Sequence, residues 1–125
     1  MSIELTKQEL HYLAMNIVGK DLEKRGFEFI AIESKLGKQP QFVCIDKTNQ
    51  RYFVIVKAIM LPDKPNSYDV IWMESFKLHA QKHEAKVLYA GVGLGNAEDG
   101  TKPVIKGEEY LLEYNGIQFF ETNLN

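Results

Sequence analysis

Phe53-Val54-Ile55-Val56, followed at once by Lys57, is the stretch on which the fold turns. All four residues are apolar and most are β-branched, so an extended chain here presents hydrocarbon to both faces of a sheet. A strand of that kind belongs at the centre of a sheet with helices on each side. Around it, strand-like segments run from Phe27 to Ser34, Gln41 to Asp46 and Arg51 to Ile59, with no helical pattern between them. Leu36-Gly37-Lys38-Gln39-Pro40 and Lys47-Thr48-Asn49-Gln50 supply the turn residues, which predicts an antiparallel meander.

The covering helices are legible on either side. Thr6-Lys7-Gln8-Glu9 has the spacing of a capping box, and Leu10, Leu13, Ala14, Ile17 and Leu22 follow a helical stripe behind it. Gly26 is the expected stop, because it lacks the Cβ that clashes in a left-handed closing position. Past the proline-containing connection Leu61 to Ser67, Trp72, Phe76, Ala80 and His83 predict a second helix from about Asp69 to Glu84. Tyr68 to Ile71 also reads as a strand, which leaves its start open. Lys86 to Val92 is a further strand, expected to run parallel to a neighbour after the crossover. Gly93 to Gly107 reads as a long polar loop. Tyr110 to Tyr114 and Ile117 to Glu121 flank Asn115-Gly116, the pair that favours a two-residue turn, so a C-terminal hairpin is expected. The fold class is α/β (α+β): one domain over residues 1–125 around a mixed central sheet.

Composition narrows function mainly by exclusion. A net charge of -2 over 125 residues gives no global positive field for polyanions or anionic membranes. Lys35, Lys38, Lys47, Arg51 and Lys57 lie in one stretch and offer a local basic patch, although lysines beside turns usually serve solvation. Cys44 is the only cysteine, so there is no intramolecular disulfide and no ligand set for a cysteine-based zinc or iron-sulfur centre. Its place in Phe42-Val43-Cys44-Ile45 suits a buried, inert thiol. No apolar run approaches the roughly 18 residues of a membrane span and no amino-terminal signal is visible, so a cytoplasmic location is expected.

The order helix, meander, helix, strand, together with Gly26-Phe27 and Lys57, resembles the restriction-endonuclease-like fold, notably its small resolvase-type members. The resemblance implies an aspartate in the second strand and a Glu-x-Lys triplet in the third, holding Mg²⁺ for phosphodiester cleavage. Those positions fall at about Phe42 and at Ile55 in Ile55-Val56-Lys57, so the implied chemistry has kept its lysine and lost both carboxylates. Phe76-Lys77-Leu78-His79-Ala80 and Tyr89-Ala90-Gly91-Val92-Gly93-Leu94-Gly95 also resemble short flavobacterial proteins that carry the label of the iron-sulfur and flavin component of Na⁺-translocating NADH-quinone reductase. A true component of that kind needs several cysteines and flavin and NADH modules, so the label implies no activity here.

The residues that remain are candidates in competition. Lys57 is either a vestigial phosphate contact or a strand-end lysine reaching water. Glu9, Glu23 and Glu33 would have to gather beside it to rebuild a metal site. His79 and His83 share a helix face with zinc-ligand spacing but lack a third ligand, and they also suit a helix C-terminus as cations. Gly91, Gly93 and Gly95 follow a strand without the helix that a dinucleotide loop needs. Trp72 and Tyr68 would make an interaction surface if exposed. The expectation is a binding or assembly module without a cofactor, taking a protein partner or a second copy; a nuclease with relocated carboxylates and a non-catalytic nucleic-acid binder are the alternatives.

Overall fold

The computed structural model describes residues 3–120. Its elements run α1 (Lys7–Lys24), β1 (Glu28–Ile32), β2 (Phe42–Ile45), β3 (Arg51–Met60), α2 (Val70–Gln81), β4 (Ala85–Asn96), β5 (Tyr110–Tyr114) and β6 (Gln118–Phe119). The capping box closes in both directions: the Glu9 amide donates to Thr6 Oγ1 at 3.1 Å and the Thr6 amide to Glu9 Oε1 at 2.9 Å. At the other end Gly26 takes φ +90°. Its amide bonds the Glu23 carbonyl and that of Phe27 the Leu22 carbonyl, the paired closure of a Schellman motif.

The sheet is mixed, in the order β1-β2-β3-β4-β5 with β6 also on β4. β1, β2 and β3 form the antiparallel meander, and β3 pairs in parallel with β4 from Arg51 opposite Ala85 to Met60 opposite Leu94. Alternation along the two central strands divides the core. Tyr52, Val54 and Val56 with Leu88, Ala90, Val92 and Leu94 pack under Ala14, Met15, Val18 and Leu22 of α1. Phe53, Ile55, Val87 and Tyr89 pack against Met73 and Ala80 of α2. The Phe53 to Val56 run is therefore buried on both sides, at 7% exposure or less.

Two expectations need correction. Tyr110 to Tyr114 and the following segment do not pair as a hairpin; both lie antiparallel along the same edge of β4. Four steps along β4, from Val92 to Leu88, are opposed by five, from Tyr114 to Phe119, so one extra residue is bulged out. Only Gly116 takes positive φ, at +88°, whereas the two-residue turn needs it at Asn115 as well. The β4 edge is long enough to hold both pieces, and its pairing outweighs the local turn preference. The far end of the predicted hairpin, Glu121, lies outside the described residues. The second correction concerns Gly93 to Gly107: β4 continues to Asn96, so the loop begins only at Ala97.

Candidate functional site

Lys57 projects from the α2 face of β3, opposite Gly91. Its Nζ lies 4.8 Å from the centroid of the Trp72 ring, which engages the charge by a cation–π contact. Beside it Asp69 caps α2, accepting from the amides of Ile71 and Trp72 at 2.9 and 3.1 Å. Phe42 belongs to the α1-side core and Ile55 to the α2-side core. Val43, the neighbour of Phe42, packs on the α2 side with Ile55, so hydrocarbon stands on both faces at about the positions where the nuclease resemblance would need carboxylates.

Two of the acidic candidates, Glu9 and Glu33, have other partners. Glu9 is committed to its capping box and to Lys106, 3.3 Å away, and these partners hold its carboxyl below the usual range. Glu33 accepts from the Lys35 amide at 3.3 Å in the β1–β2 loop, and Glu23 is exposed near the end of α1. Among the described residues no three His, Cys, Asp or Glu side chains gather to hold a metal ion. His79 and His83 do approach, with ring centroids 5.0 Å apart, and each stacks on Phe53 at 5.8 Å. His83 lies beyond the end of α2, in the turn that leads into β4.

The basic stretch is divided among a loop, a turn and a strand. Lys35 and Lys38 sit in the loop before β2, Lys47 in the turn after it. Lys57 lies six residues along β3 from Arg51, roughly 20 Å at the rise of a strand. Arg51 itself donates to the His83 carbonyl at 3.3 Å. Trp72 and Tyr68 are half-buried: Trp72 meets Phe76 edge-on at 4.6 Å, and Tyr68 packs on Tyr89 and Phe120. Cys44 is fully buried, and loss of solvent pushes its thiol up to about 11.

Gly91 and Gly95 let the chain lie flat against the sheet. A Cβ on Gly91 would stand 1.8 Å from the Pro65 carbonyl oxygen, and one on Gly95 2.8 Å from that of Gly100. The same Pro65 carbonyl accepts from the buried Tyr89 hydroxyl at 2.9 Å, fastening the β3–α2 connection across β4. These glycines are spacers for a packed segment rather than a phosphate cradle.

The α1 face carries two buried polar side chains that the helical stripe did not single out, Gln41 at 1% exposure and His11 at 3%. β2 ends at Phe42, opposite Val54, so on that side β3 from Ile55 to Met60 has no strand beside it among the described residues. Gln41 prolongs the ladder by one position. Its amide donates to the Val54 carbonyl at 3.0 Å and its Oε1 accepts from the Val56 amide at 2.7 Å, while Nε2 donates to the Lys38 carbonyl at 2.8 Å. By strand alternation, the Ala58 amide and carbonyl point to this same uncovered edge.

A cavity of about 330 Å³ opens there, between the start of α1, the β1–β2 loop and the second half of β3. His11 and Lys7, one turn apart on α1, both line it, with Leu10, Leu36 and Met60 as apolar wall. His11 Nε2 is buried without a hydrogen-bond partner, and burial lowers the ring's pKa, which favours the neutral imidazole. The sequence signal for His11 was its spacing to Ala14 and Val18, which puts a polar ring on the core-facing stripe.

The chain belongs to the DUF8840 family, a domain of unknown function whose model matches residues 8–120. The match takes in both helices almost entirely, the whole sheet and the cavity's β3 wall. None of the curated proteins and none of the solved structures compared matches the chain. Among the described residues no helix is long and apolar enough to cross a membrane.

Proposed function

We propose that this domain is a non-catalytic binding module built on a degenerate nuclease-like frame. The observation that carries the reading is hydrocarbon on both faces where the nuclease resemblance places its carboxylates: Phe42 on the α1 side, Val43 and Ile55 on the α2 side. A divalent cation needs several oxygen donors within about 2.0–2.6 Å of one point. The side chains of Phe42, Val43 and Ile55 supply none. The engagement of Glu9 with Thr6 and Lys106, and of Lys57 with Trp72, further supports a site without metal-assisted cleavage. The element order is what supports kinship with the restriction-endonuclease-like fold. The binding role is supported by an open cavity of about 330 Å³ beside the margin of β3 that β2 leaves uncovered.

Incubation of the purified chain with branched and single-stranded DNA in Mg²⁺ or Mn²⁺ tests the reading. No cleavage above buffer is expected. Cleavage that disappears in Lys57→Ala would overturn it and restore the enzyme with relocated carboxylates.

A further inference from the structure

We propose that the uncovered margin of β3 takes up an extended acidic segment of a partner protein as an added strand, paired with Ala58 and carrying one aliphatic side chain into the cavity under α1. The proposal rests on the reading of the domain as a binding module and names the partner chemistry of its site. The backbone sets the first condition. β2 pairs with β3 no further than Val54, and Gln41 fills one more place, its Oε1 accepting from the Val56 amide as a strand carbonyl would. Beyond it the Ala58 amide and carbonyl and the Met60 amide face the same edge by alternation, and among the described residues no backbone group pairs with them there. Such a run of main-chain donors and acceptors is what an extended peptide completes by strand addition. The outer edges of the sheet are guarded against the same event. β1 has a bulge between Phe29 and Ala31 and an acidic residue at each end, Glu28 and Glu33, and β5 lies among Glu108, Glu109 and Glu113.

Side-chain alternation sets the second condition. A residue opposite Ala58 shares its face of the sheet, and Ala58 packs with the α1-side core. The incoming side chain therefore enters the cavity of about 330 Å³, whose wall includes Leu10, Leu36 and Met60. At the roughly 30 Å³ that a water occupies in the liquid, this space holds on the order of ten non-hydrogen atoms, about one leucine residue. Charge sets the third. The lining residues include Lys7 and Lys57 and no aspartate or glutamate. Lys57 is exposed on the α2 face, toward which the residues before and after the aliphatic one point. Lys35 and Lys38 are exposed in the β1–β2 loop, which supplies the far wall through Leu36, Gly37 and Gln39. A strand that docks between these ammonium groups is favoured if it carries carboxylates on both sides of its apolar anchor.

Titration of the isotope-labelled full chain with a capped pentapeptide, a central leucine between two pairs of glutamates, tests this by NMR at the Val56, Ala58 and Met60 amides. Saturable shifts are expected there with half-saturation below about 1 mM, and hydrogen exchange at the Ala58 amide should slow severalfold in the saturated protein. A peptide methylated on the leucine nitrogen keeps every side chain and loses the main-chain donor, and it should bind at least about tenfold more weakly. The peptide with lysines in place of glutamates should weaken by as much, and Lys7→Ala or Lys57→Ala should each weaken the acidic peptide severalfold. Absence of saturation, undiminished binding of the methylated or lysine peptide, or shifts centred on β1 or β5 would each overturn the proposal. Single-stranded DNA that moves the same amides equally well would overturn it in favour of polyanions at large. An Ala58 shift that depends on protein concentration without peptide would overturn it in favour of a second copy of the chain. If a lysine variant fails to fold, the methylated peptide decides the matter on the unaltered protein. DNA cleavage would overturn the non-catalytic reading on a separate readout, leaving the peptide titration to be judged by itself.

Discussion

The two faces of the sheet solve the same packing problem in different ways. On one, α1 runs 18 residues with closed caps at both ends and covers β3 and β4 with a continuous apolar stripe. On the other, α2 runs 12 residues, and the rest of the cover comes from the connection after β3, laid against the glycines of β4. Where that connection crosses β4 at Gly91, the α2 face is close to backbone-on-backbone contact and has little room for variation. The α1 face is packed tightly along its middle but leaves its end open, where β2 stops short and Gln41 stands in for a strand. Lys57 borders both margins: it lines the cavity of about 330 Å³ under α1 and a second of about 300 Å³ with Tyr68, Asp69 and Trp72 on the α2 face.

Gly91→Ala should test this contrast most severely, costing about 3 kcal/mol in urea unfolding, because the new methyl meets the Pro65 carbonyl rather than a flexible side chain. A loss under about 1 kcal/mol would show that the connection moves freely and that the α2 face is not the rigid one. Gln41→Leu should cost about 2 kcal/mol, since it strands the buried Val56 amide and removes the bond that ties Gln41 to the Lys38 carbonyl. Faster hydrogen exchange at Val56 in that variant would locate the damage at the β3 margin.

The smallest effect is a slope. An unfolded histidine takes up its proton near pH 6.5, whereas burial lowers the pKa of His11 in the native state. Below that pH the unfolded chain binds more protons, so stability is fully present above about pH 6.5 and declines as the pH falls toward the lowered native value. Thermal melts between pH 7.5 and 5.5 should show this decline, and His11→Phe should flatten it. An identical slope in the variant would mean that His11 does not titrate as a buried neutral ring.

Features set by neighbouring residues were the legible ones. Both helix termini at α1 could be read because capping is local: Thr6, Glu9 and Gly26 act on amides and carbonyls within a few residues. The meander and the double burial of Phe53 to Val56 could be read because a strand's period of two is written in consecutive residues. The glycines of β4 misled because a strand's tolerance for glycine depends on what lies across it, and Pro65 is 26 residues away from Gly91. Asn115-Gly116 misled because its local turn preference lost to pairing along β4.

The order of residues sufficed for the helices and most of the strands, and for a central strand buried on both faces. It took the folded chain to bring His11 and Gln41 together at an unfinished sheet margin. Local signals fix backbone conformation through groups a few bonds apart. A cavity exists only where elements distant in sequence fail to fill the space between them, and that shortfall is a property of packing, which no single segment records.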